Sequence, residues 1–184
     1  MPLPAIVNAT QAIGMAAFAT GALACLYAAR APAAGWHRGW LALTAMHAWY
    51  SMDIWLDTRH HAHLAANTWL LAHGLYLGRR SIQVGLLVAV AVLATAALAW
   101  VALRSRPRGI SLSFMVAGIG TAVAALVYAS ELISHHDIDT LLYAHVGAWP
   151  VIVPIWLLST LPVAIAAITT TRRIRLDHDA QRLP

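Results

Sequence analysis

The residues that could do chemistry are gathered at the ends of apolar stretches. His60, His61, His63, His73, His135, His136 and His145 stand there beside Asp53, Asp57, Glu131, Asp137 and Asp139. Imidazole and carboxylate together form the ligand set of a transition-metal site, copper or zinc above all. Ionisable groups near a bilayer also mark binding sites and proton pathways, because lipid solvates charge poorly. In the stretch MHAWYSMDIWLD, a helical advance of ~100° per residue places Met46, Tyr50, Asp53 and Asp57 in one stripe, with His47 at its edge. A carboxylate at that depth costs roughly 2.5–3.5 kcal/mol unless it finds a partner or water. The stripe is therefore expected to face inward, either as metal ligand and proton relay or as an interhelical pair of Asp53 with an arginine or tyrosine.

The stretch YASELISHHD repeats the theme. Tyr128, Glu131 and His135 share a helical face, and Glu131 and His135 are spaced to meet one cation. His136 points elsewhere, and His145 is expected in the first turn of the next helix, returned beside them by a short loop. An acid, three residues, a histidine and a later histidine is loosely similar to the copper-ligand arrangement of the membrane monooxygenases that oxidise methane and ammonia. That resemblance implies copper and a three-ligand set of Glu131, His135 and His145. In RHHAH, His60 and His63 meet on one helical face or His61 alone reaches inward, with His73 further on. The clustering resembles the di-iron desaturases and hydroxylases, although this chain lacks their full set of HxxHH-type boxes. Non-covalent b-type haem is a further reading and needs paired histidines at matching depth, His47 with His73 or His73 with His145. No CxxCH is present, which excludes covalently attached haem. The same reading makes Asp53, Asp57, Glu131, His135 and His145 the foremost metal ligands. His60, His61, His63, His73 and His136 are further candidates, and His47, Tyr50 and Tyr128 orient them.

The elements that must position these groups are membrane helices. Of 184 residues, 60% are hydrophobic and 10% charged, whereas soluble domains run near half apolar and a quarter charged. The expected fold is an all-α polytopic helical bundle. Its segments cover about 5–29, 39–57, 81–103, 110–134 and 141–171, the last longer than the ~20 residues a bilayer requires. The first lacks the basic start of a signal peptide and is read as a retained helix. The last carries Pro150, Pro154 and Pro162, so a kink, a tilt or an interfacial first turn is expected. Residues 64–78 are short for a span and form either an interfacial or re-entrant helix or a sixth crossing. Residues 1–175 read as one integral membrane domain and 176–184 as a polar tail, with His178 solvated. Small residues four apart, Ala17 with Gly21 and Gly118 with Ala122, suit close helix approach. Trp36, Trp40, Trp55, Trp69, Trp149 and Trp156 suit interface and packing positions. The lone Cys25 lies within the first segment, so no intrachain disulfide can form.

All twelve basic residues are arginines, and they set orientation rather than bind nucleic acid. With five crossings, one face holds Arg30, Arg38, Arg104, Arg106, Arg108, Arg172, Arg173, Arg175 and Arg182. The other holds Arg59, Arg79 and Arg80. That puts the N-terminus outside and the C-terminus in the cytoplasm of a bacterial inner membrane, with both histidine clusters outside. Six crossings separate the clusters. No GxGxxG, GKS/T or GxSxG occurs, which removes dinucleotide, phosphate-loop and serine-nucleophile chemistry. Three functions follow: metal handling or metal-dependent membrane redox chemistry, a haem or di-iron oxidoreductase, and an accessory subunit whose acids and histidines merely pair across helices. The partners expected are the bilayer and either other membrane subunits or further copies of the chain.

Overall fold

The computed structural model describes residues 8–31, 36–105 and 111–180. It is helical, with α1 (Ala9–Ala29), α2 (His37–Leu56), α3 (Thr58–Ala72), α4 (Arg79–Ser105), α5 (Leu112–Ile133), α6 (His136–Leu142) and α7 (Ile152–Ala180). A minimal hairpin, β1 (His145–Val146) with β2 (Trp149–Pro150), joins α6 to α7. Four helices, α1, α4, α5 and α7, contain stretches long and apolar enough to cross a membrane. Arg106, Arg108 and Arg182 lie outside the described residues, as do the side chains of Arg104 and His178.

Local chemistry sets the helix limits. Asn8 caps α1 by accepting from the Gln11 amide at 2.8 Å while Gln11 returns a bond to the Asn8 amide, the reciprocal box that satisfies otherwise orphaned donors. Ser111 caps α5 by accepting from the Phe114 amide. Asp57 ends α2 and Ser134 ends α5, each in the left-handed region at φ 51°. Pro154 sits in the first turn of α7, where its missing N–H costs nothing, and Pro162 lies inside the helix. The expected span over 141–171 is corrected at its start. Its first residues complete α6 and form the hairpin, because Gly147 turns the chain at φ 67° and Pro150 follows.

The core is built from α1, α2, α5 and α7. Lipid tails are as apolar as leucine, so helices in a bilayer associate through close packing rather than hydrophobic burial. Glycine supplies the closeness. Gly14 lies against Ile54 and Trp156, Gly21 against His47 and Thr160, and Gly120 against the Ser159 carbonyl and Val163. Gly21 thus makes the expected approach, but Gly118 faces open space and its neighbour-but-one Gly120 does the work instead. These contacts run α1 and α2 antiparallel. At the far end His37 donates from Nδ1 to the Ala29 carbonyl at 2.7 Å. One core cluster includes Cys25, Ala28, Trp40, Leu43, Ala117 and Val163; the other includes Phe18, Tyr50, Ile54, Ala124, Ile152 and Trp156.

The position of residues 64–78 follows from two tethers. Arg59, at the start of α3, reaches Glu131 near the end of α5. Gln83, at the start of α4, donates through Nε2 to the carbonyls of Ile133 and Ser134 at 3.1 and 2.9 Å. Helices α3 and α4 therefore begin at the same end of the bundle, and α3 with the turn after it goes out and returns there. The RHHAH cluster and the His135–Asp137 cluster share that end.

Candidate functional site

At that end, Asp53 on α2 and Glu131 on α5 meet across Arg59 of α3. Arg59 Nε lies 2.6 Å from Asp53 Oδ2, and Arg59 Nη1 pairs with Glu131 Oε2. The side chains are withdrawn from solvent: Arg59 is 13% exposed, Glu131 4% and Asp53 0%. Neutral donors complete the network. Thr58 donates to Asp53 Oδ1, Tyr128 donates to the same oxygen at 3.3 Å, and Tyr143 donates to Glu131 Oε1 at 2.8 Å. Trp49 in turn donates to the Tyr128 hydroxyl at 3.3 Å. Burial of its hydroxyl end and the adjacent Glu131 carboxylate push Tyr143 above the ordinary phenol range. It therefore stays protonated, and a donor, through neutral pH. Three of the four carboxylate oxygens accept a hydrogen bond, and the fourth, Asp53 Oδ2, is held only at ion-pair distance from the Arg59 guanidinium, whose opposite charge lets these groups persist where water is scarce.

Beside the clamp lies a cavity of about 290 Å³ lined by Asp57, Arg59, His60, His63, Glu131, Ser134, Asp139 and Tyr143. Ser134 donates to Asp139 Oδ2 at 2.6 Å, and Asn67 meets His63 Nε2 at 2.7 Å. Asp57 and Ser134 are the non-glycine residues with positive φ among the described residues, and both line this cavity. Sparsely populated backbone conformations concentrate at functional sites. Three carboxylates, Asp57, Glu131 and Asp139, line the cavity with one guanidinium, so the cavity attracts cations.

The sequence-derived candidates separate into three groups. Asp53 and Glu131 do converge, as partners of Arg59, while Asp57, His60 and His63 line the cavity. His60 and His63 share a face as their spacing requires. Tyr128 orients Asp53, and Tyr50 packs on Tyr128 with ring centroids 5.2 Å apart.

A second group lies elsewhere. Helix α5 stops at Ile133, so the four-residue register that joins Glu131 to His135 is broken; His135 instead precedes α6, with Nδ1 3.7 Å from Asp137 Oδ2. His136 is exposed at the start of α6. His145 sits in β1, exposed, rather than in the first turn of a spanning helix. His61 is exposed against the His60 ring, and His73 ends α3 stacked on Trp69 at 4.2 Å.

The third group is His47 alone. It is fully buried, donates from Nδ1 to the Leu43 carbonyl at 3.0 Å, and leaves Nε2 without a partner, as is the hydroxyl of Thr160. The haem pairings unite a sealed His47 with an exposed His73, or two exposed histidines on α3 and β1. The stripe on α2 is also rotated from its expected centre: Trp40, Leu43, His47, Tyr50, Asp53 and Ile54 are buried, while Met46 faces out at 38% exposure.

Arg59, Thr58, Ser134, Asp139 and Tyr143 belong to the site without having been singled out as ligands. Arg59 was named only as an orientation signal, although a pairing of Asp53 with an arginine or tyrosine was one of the two expectations for α2. Yet an arginine two residues after Asp57, at the mouth of a segment with a buried carboxylate, is a natural counter-ion. Among the described residues, no group of three or more histidine, cysteine, aspartate or glutamate side chains is close enough to hold a metal ion as the chain stands. No protein-family model, curated protein or solved structure matches the chain.

Proposed function

We propose that this is an integral membrane protein that captures a transition-metal cation, copper or zinc, in the cavity at one end of its bundle, for metal handling. One observation carries the reading: two imidazoles, His60 and His63, and the carboxylates Asp57, Glu131 and Asp139 line a single cation-attracting cavity. Nitrogen with oxygen donors suits copper and zinc better than magnesium or calcium. In this reading α2 is a fifth crossing beside the four apolar helices. Its mean hydropathy is low because its buried face carries His47, Tyr50 and Asp53, which neighbouring helices shield. Helix α3 lies at the interface. The arginine asymmetry puts the cavity on the outer face of a bacterial inner membrane and the C-terminus in the cytoplasm.

Metal analysis of purified protein, with titration of Zn²⁺ in detergent, tests the assignment. One bound ion per chain, lost in His60→Ala combined with His63→Ala, is the expected result. Absence of stoichiometric metal from the wild type, as purified and after reconstitution, removes it.

A second reading is favoured by the Arg59 bridge itself. Here the acids pair across helices to hold an accessory subunit together. It expects Glu131→Gln to lower stability while Zn²⁺ binding stays negligible in wild type and variant alike.

A further inference from the structure

We propose that Arg59 is an internal competitor for the cation of this cavity: its guanidinium occupies the carboxylates that a divalent transition-metal ion would use, and the arriving metal displaces it. The inference rests on the metal reading above and adds how the site is held closed.

Three observations carry it. First, no residue of α3 is buried, yet the Arg59 side chain is 13% exposed and bridges two helices. Arg59, with the Thr58 bond to Asp53, thus ties the start of α3 to the buried acids of α2 and α5. Second, the ligand types needed for a metal line the cavity, but no three of them converge, while Glu131 and Asp53 are engaged with Arg59. The guanidinium stands where a cation belongs. Third, Arg59 lies two residues past Asp57, whose φ of 51° makes the α2–α3 junction a sharp bend.

The exchange involves no covalent step. A divalent ion enters from the open side of the cavity and takes Glu131 as an oxygen ligand. Two cations cannot share that carboxylate cheaply, since unit charges 4 Å apart repel by about 4 kcal/mol at an effective dielectric near 20. Arg59 therefore swings to solvent, and Asp53, which does not line the cavity, keeps the Thr58 and Tyr128 hydroxyls as its donors. His60 and His63, on the turn that follows, supply nitrogen ligands and keep α3 tethered in its place. The guanidinium thereby keeps the buried acids compensated when metal is absent and sets a threshold for loading.

Two measurements test this in full-length protein in detergent. In the wild type, Arg59 modification by a dicarbonyl reagent is followed by peptide mass spectrometry. Arg59 should be protected without metal and become reactive when Zn²⁺ saturates the site, whereas Mg²⁺ leaves it protected. In Arg59→Lys, a compact ammonium cannot span both carboxylates, and Zn²⁺ should bind at least about ten-fold tighter, because less of the protein is held in the closed form. Zn²⁺ binding of equal strength in wild type and Arg59→Lys, with Arg59 protected throughout, overturns the competition and leaves the metal reading intact. No Zn²⁺ binding by either protein overturns both. The wild-type protection measurement does not depend on how the variant folds.

Discussion

Glu131 has one guanidinium and one phenol for partners, and both come from other elements of the chain. Glu131→Gln keeps the shape but leaves Arg59 half compensated in a site from which water is largely excluded. Breaking one side of a buried ion pair costs on the order of 3–5 kcal/mol, so its unfolding temperature in detergent should fall well below that of the wild type. Tyr143→Phe deletes a neutral donor to a charged acceptor and should cost less, about 1.5–3 kcal/mol. Equal losses for the two variants would mean that Glu131 does not carry the charge assigned to it. Asp53, Glu131 and Tyr128 were legible from the sequence, because a polar residue within an apolar helix must turn inward whatever the fold. His135 and His145 misled for one shared reason. Their placement assumed that helices continue where Ser134 and Gly147 in fact reverse the chain at positive φ, and a serine gives little warning of that.

Among the elements, the α5–α7 contact is the most demanding. A methyl group on Gly120 would sit 2.5 Å from the Ser159 carbonyl oxygen, a backbone atom that cannot rotate away. A methyl on Gly118 would meet nothing within 4 Å. Gly120→Ala should therefore destabilise the bundle by roughly 1–3 kcal/mol. Gly118→Ala should be neutral or slightly stabilising, since alanine is the better helix former. Thermal unfolding of the pair in one detergent checks this, and identical midpoints would show that α5 and α7 do not approach through Gly120. The four-residue spacing with Ala122 pointed to Gly118, whereas Gly120 makes the close approach. The two lie on different faces, and only the neighbouring helix decides which one is inside.

For the molecule as a whole, the shared end of the two histidine clusters is the feature with the widest reach. Cys25 is buried, with 0% exposure, so a Cys25→Ala background allows single cysteines to be introduced elsewhere. His61→Cys and His136→Cys should react with an impermeant thiol reagent added from the same side, and Arg173→Cys from the opposite side. Labelling of positions 61 and 136 from opposite faces would dissolve the common cavity, and both functional readings with it. The arginine count favoured this arrangement by one residue, since six crossings divide the arginines eight against four instead of nine against three. The tethers through Arg59 and Gln83 supply what composition lacked, because they show where α3 and α4 begin relative to the end of α5.

Those tethers also dictate an order of assembly. Arg59 leaves the ribosome 72 residues before Glu131, and Gln83 precedes the carbonyls it grips by 50 and 51. Until α5 has been synthesised, Arg59 lacks Glu131, and α4 lacks the carbonyls of Ile133 and Ser134 that Gln83 grips. Folding of the polar end must therefore wait for the second half of the polypeptide. A chain truncated before residue 131 would expose an incompletely neutralised guanidinium and an untethered apolar helix to the insertion and quality-control machinery.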